Sequence, residues 1–100
     1  MSDTGRIKVD YDKCLAQANR LDELSKKCDE QSNKMNKLIG KLQEVWLGAS
    51  GNAMADKCRE WMVNQLQQGG KLYLEAKAIR RVVYELQEAE RKAIEKINAG

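Results

Sequence analysis

The chain has 100 residues, of which 42% are hydrophobic and 33% charged, with a formal net charge of +3. That length holds one small domain and no more. Pro, His and Phe are absent. The strongest helix breaker is therefore missing, and so are the commonest general base and metal ligand. Few aromatics and many Leu, Ala, Lys, Glu and Gln further exclude an all-β domain and favour long helices.

Residues 1–8 are polar and short, and a frayed tail is expected there. They contain no apolar core of a secretory signal, so no cleaved signal peptide is expected. An apolar seam begins near Asp10 and keeps a seven-residue step through Cys14, Leu21, Cys28, Met35 and Leu42. A second row runs through Tyr11, Ala18, Ser25, Ser32, Ile39 and Trp46. Unbroken heptads predict one long helix, over about 10–46, packed against other helices.

The pattern breaks at Trp46-Leu47-Gly48-Ala49-Ser50-Gly51. Gly48 suits the left-handed residue that ends a helix. Ser50 is expected to cap the next one. The predicted turn is 47–50, and a second helix follows over about 51–98. Its seam steps by four and three through Cys58, Met62, Gln65, Gly69, Leu72, Ala76, Ile79, Val83 and Leu86. Two helices of matched reach joined so tightly must fold back antiparallel. The expected fold is thus all-α, a single helical-hairpin domain over 1–100.

Folding back at the turn sets Cys14 level with Val83, Cys28 with Gly69, and Ile39 with Cys58. No two cysteines meet, and Cys14 and Cys28 lie roughly 21 Å apart along one helix, so an intrachain disulfide is excluded. The register also places Ser25, Gln31 and Ser32 level with Gln65, Gln67, Gln68, Gly69 and Gly70. Two glycines inside a helix cost about 2 kcal/mol against alanine. Close approach of the helices offsets that, or else a second chain crosses at this polar waist.

The apolar rows are wider than one partner helix covers. Leu15, Leu24, Leu38, Leu66, Tyr73, Val82 and Ile94 fall beside the seam. Burying each is worth about 1.5–3 kcal/mol. Two hairpins pairing into a four-helix bundle dimer would cover them. Candidates for that interface are Leu21, Cys28, Met35, Gly69, Leu72 and Ile79.

No catalytic motif, P-loop or dinucleotide fingerprint is present, and no histidine could activate a cysteine nucleophile. The expectation is a protein that is not an enzyme, with no catalytic residues, no metal and no cofactor. Residues 1–47 hold nine basic and eight acidic side chains, and residues 48–100 hold nine and seven. Neither half is a basic arm, so no nucleic acid is expected as a partner. No apolar run approaches the length of a membrane span, so no stable membrane insertion is expected either.

A chain of this length with two long helices, a central Trp46-Leu47-Gly48 and a distal Tyr84-x-x-x-Glu88 resembles the hundred-residue WxG family. This is the early-secreted-antigen-like group exported by type VII secretion systems. The resemblance implies that Trp46 and Gly48 form the turn motif and that Tyr84 and Glu88 form a secretion signal. It implies a homodimer or a heterodimer with a related hairpin protein, read by an FtsK-like secretion ATPase. It implies a protein that is cytoplasmic before export and then secreted or held at the cell surface. An alternative within the same resemblance is a dedicated targeting partner of a larger toxin with a helical N-terminal domain. A cytosolic coiled-coil scaffold also fits the heptads but gives no reason for the two motifs. Three cysteines depart from the family's usual look and leave an interchain disulfide open.

Overall fold

A computed structural model describes residues 10–99 as two helices, α1 (Tyr11–Val45) and α2 (Ala49–Ala99). The expected tail at 1–8 lies outside the described residues. The helices form an extended antiparallel hairpin with extents of 78 × 27 × 15 Å. The all-α helical-hairpin fold is thus the one its heptads predict.

Asp10 starts α1 by accepting a hydrogen bond from the Lys13 backbone N–H at 3.1 Å. That satisfies one of the first-turn donors that no helix can pair internally. α1 ends where Trp46 leaves the helical conformation, with its N–H still bonded to the Leu42 carbonyl at 2.8 Å. Gly48 turns the chain at φ +98°, a region that glycine enters without a Cβ clash.

The turn is tighter than expected. α2 is already helical at Ala49, and the Asn52 N–H reaches the Gly48 carbonyl at 3.1 Å. Ser50 is therefore inside the first helical turn and does not cap it. The expected matched lengths are also corrected. α1 has 35 residues and α2 has 51. The Tyr11 hydroxyl donates to Glu90 Oε1 at 2.5 Å, so α2 continues past the level where α1 begins.

Burial corrects the phase of the seam on α1, while on α2 Gly69, Ala76 and Val83 of the expected seam are buried. The buried row of α1 is Ala18, Ser25, Ser32 and Ile39, and that of α2 is Gly51, Ala55, Gly69, Ala76 and Val83. The row Cys14, Leu21, Cys28, Met35 and Leu42 is only half-buried. Small side chains face inward because they let two helix backbones approach closely, where dispersion contacts are dense. The bulkier apolar residues are displaced to the flanks.

The polar waist closes within the hairpin. The buried Ser25 hydroxyl donates to the Gly69 carbonyl at 2.8 Å. The Ser32 hydroxyl lies 2.9 Å from the Cys28 carbonyl and 3.4 Å from that of Met62. A Cβ on Gly69 would sit 3.1 Å from Cys28 Cβ and 3.3 Å from the Ser25 carbonyl oxygen. Gly69 is thus the close-approach glycine. Gly70 has open space where a side chain would go, so only half of the pair serves that purpose. All three cysteines are free.

Candidate functional site

The turn motif is a backbone structure first. Gly51 is buried, and a Cβ there would run into the Trp46 carbonyl oxygen and lie 2.8 Å from its carbon. The Trp46 ring also borders it, with Cδ1 3.2 Å from that position. Gly48 and Gly51 together let Trp46 fold back over the start of α2. Trp46 remains 41% exposed and its neighbour Leu47 79% exposed. The hairpin therefore presents an apolar tip. Sequence reading singled out Gly48 and missed Gly51. The signal was a second glycine three residues on, at the first turn of a helix whose other early positions are ordinary.

Tyr84 and Glu88 lie one turn apart on α2, where residues four apart share a face. Tyr84 is 63% exposed, while the neighbouring Val83 is buried in the hairpin seam. Glu88 is half-buried and does not stand alone. Arg91 Nε donates to its carboxylate at 3.0 Å and 3.3 Å, and Arg91 Nη1 donates to Glu95 at 2.5 Å. The hydrogen bond that Arg91 donates to Glu88, followed by that carboxylate's charge, pushes the Arg91 guanidinium further up. The landmark is therefore a tyrosine ring beside a carboxylate–guanidinium–carboxylate ladder, more than one ring and one charge. Helix spacing puts Tyr84 about 50 Å from the turn. Within one chain the two motifs stand far apart.

The candidate interface residues divide. Leu21, Cys28, Met35, Leu72 and Ile79 are half-buried and occupy the flank rows of the two helices. These flanks meet on one side of the hairpin. Cys14 shares a groove with Ala78, Ile79, Val82, Val83 and Leu86. Met35 and Leu38 share a hollow with Trp61, Gln31 and Lys34. The result is an apolar side made of two separate hollows, with Leu24, Leu38, Trp61 and Val82 exposed along it. Gly69 is placed differently, buried inside the hairpin against Cys28 and Ser25.

The opposite face mixes polar and apolar side chains. Arg80 Nη2 donates to Asp22 Oδ2 at 2.5 Å and to Asn19 Oδ1 at 2.9 Å. The other Asp22 oxygen is buried without a partner. Leu66 and Tyr73 are exposed on this side, with the Lys77 ammonium 5.3 Å from the Tyr73 ring centre. Among the described residues, no group of three His, Cys, Asp or Glu side chains could hold a metal ion, and no helix is long and apolar enough to cross a membrane.

A family model described as WXG100, proteins of 100 residues with WXG, matches residues 6–91. No curated protein and no solved structure matches the chain.

Proposed function

The chain belongs to the WXG100 family, whose members are associated with secretion by type VII systems, and from that premise we propose that it is itself a type VII substrate or adaptor recognised as a folded helical pair. The observation that carries the reading is the separation of surfaces on one hairpin. One face is apolar and uncovered. The Tyr84–Glu88 landmark lies off that face and stays exposed or half-exposed. A second hairpin can cover the first surface without hiding the second.

Antiparallel pairing adds a consequence. It brings the Tyr84 end of one chain to the Trp46 tip of the other. The FtsK-like secretion ATPase would then read a composite of tip and landmark that a single chain does not offer. Recognition, and no catalytic step, is the proposed work. The adaptor form of the reading, in which the partner is a larger toxin with a helical N-terminal domain, uses the same apolar face.

The test is export. The Tyr84→Ala variant should stay folded and paired yet remain in the cell, as should the wild type in a strain lacking the system ATPase. Normal export of a folded, paired Tyr84→Ala protein would overturn the role given to Tyr84. Export unchanged without the ATPase would overturn the whole reading.

A further inference from the structure

Along α1 the apolar face is bordered by charge of one sign. Lys13, Arg20, Lys27, Lys34 and Lys41 recur every seven residues along the whole of α1, so they form one row on one side of the helix. All five are exposed, and none is in an ion pair with another described residue. Lys34 lines the hollow of Met35, Leu38 and Trp61, which fixes this row as the edge of the apolar face. On α2 the corresponding row is mixed: Lys57, paired with Glu60 at 3.8 Å, then Lys71, Glu85 and Lys92, the last past the level at which Tyr11 meets Glu90. Ala78 of that row lines the other groove, which fixes it as the opposite edge.

We propose that the occupant of this face is a helical hairpin that lays a carboxylate-rich rim along α1, and that a second copy of this chain is disfavoured there. The inference rests on the hairpin pairing proposed above and names its partner's chemistry. Antiparallel two-fold pairing of two copies lays α1 on α1 and therefore opposes basic rim to basic rim. Rim charges select partners mainly by penalising the wrong ones, and like charges facing each other weaken association. A hairpin with an acidic rim meets the same apolar centre and gains pairing along α1. A nucleic acid would match the charge but not the Leu, Met and Trp strip between the rims, where bases would need stacking platforms in a row.

A defined probe is available in the chain itself. A charge-inverted copy carries Lys13→Glu, Arg20→Glu, Lys27→Glu, Lys34→Glu and Lys41→Glu, with the apolar face untouched. Sedimentation of the full chain, alone and mixed with the inverted copy, is measured at about 0.05 M and about 0.5 M salt. The mixed pair should associate at least roughly tenfold more tightly than wild type with itself at low salt, and the gap should narrow at high salt. A second variant with Gln at the same five positions removes repulsion without adding acids. It should self-associate roughly tenfold more tightly than wild type, which keeps the test decisive if the inverted copy fails to fold. Wild type pairing with itself as tightly as with the inverted copy would overturn this inference and leave hairpin pairing standing. No association in any mixture would overturn both. Tighter binding of a short DNA duplex than of the inverted copy would overturn the choice of a helical partner.

Discussion

Gly69 and Gly70 are neighbours in sequence and opposites in environment. A methyl on Gly69 would press on Cys28 Cβ at 3.1 Å and the Ser25 carbonyl oxygen at 3.3 Å, and the Ser25 hydroxyl bond to Gly69 would stretch with it. A methyl on Gly70 meets nothing and removes backbone freedom from the unfolded chain. Gly70→Ala should therefore raise stability by about 1 kcal/mol, and Gly69→Ala should lower it, as read by thermal melts followed by circular dichroism. Sequence reading found the glycine pair and the level it faces but could not divide their roles, because that depends on helix rotation. The distal clasp is a second single-residue test. The hydrogen bond to Glu90, with smaller contributions from desolvation and nearby charge, pushes the Tyr11 phenol up to about 12 from 10.0. The protonated hydroxyl makes this bond, so its contribution is intact below pH 10 and is lost as pH climbs through about 12. Ultraviolet titration of the phenolate should show a late step that Tyr11→Phe abolishes.

At the scale of elements, the turn depends on two glycines for different reasons. Gly48 supplies a positive φ of 98°, and Gly51 supplies room for the Trp46 carbonyl. Gly51→Ala should destabilise the hairpin by about 1–3 kcal/mol, the range for forcing atoms into filled space. The expected readout is a lower melting temperature with the helix content at low temperature nearly unchanged, since each helix keeps its own backbone bonds. The helices themselves were legible from their heptads, and the turn from the break at Trp46. The phase of the seam was legible on α2 but not on α1. Ranking positions by hydrophobicity favours Cys14, Leu21, Met35 and Leu42, whereas the fold buries Ala18, Ser25 and Ser32. Size decides that contest, because a row of small residues permits a closer approach than any row of leucines. The expected Ser50 cap failed for a related reason. Three residues, Trp46 to Gly48, already complete the reversal, so α2 begins before Ser50 is reached.

At the scale of the whole molecule, one hairpin leaves Leu24, Leu38, Trp61 and Val82 exposed along a single side. Of the flank residues expected from the width of the apolar rows, Leu24, Leu38 and Val82 lie on this strip, while Leu66 and Tyr73 lie on the other side. The charge around the strip was not anticipated, because counting basic and acidic residues by chain half averages away their segregation by face. The seven-residue recurrence from Lys13 to Lys41 was the available signal. Tyr84 and Glu88 were legible as a motif, but the ladder through Arg91 to Glu95 was not, since ordinary surface pairs at the same spacing are common. A compact chain of this length has a radius of gyration of about 13 Å, whereas this one has 22.9 Å. Its narrowest dimensions are 27 and 15 Å. The proposed face-to-face pairing would thicken only the thinnest of these, with the last turns of each α2 running past the partner's tip. A conduit need then be no wider than this rod's girth to admit the protein end-on, and it could do so without first dismantling the fold.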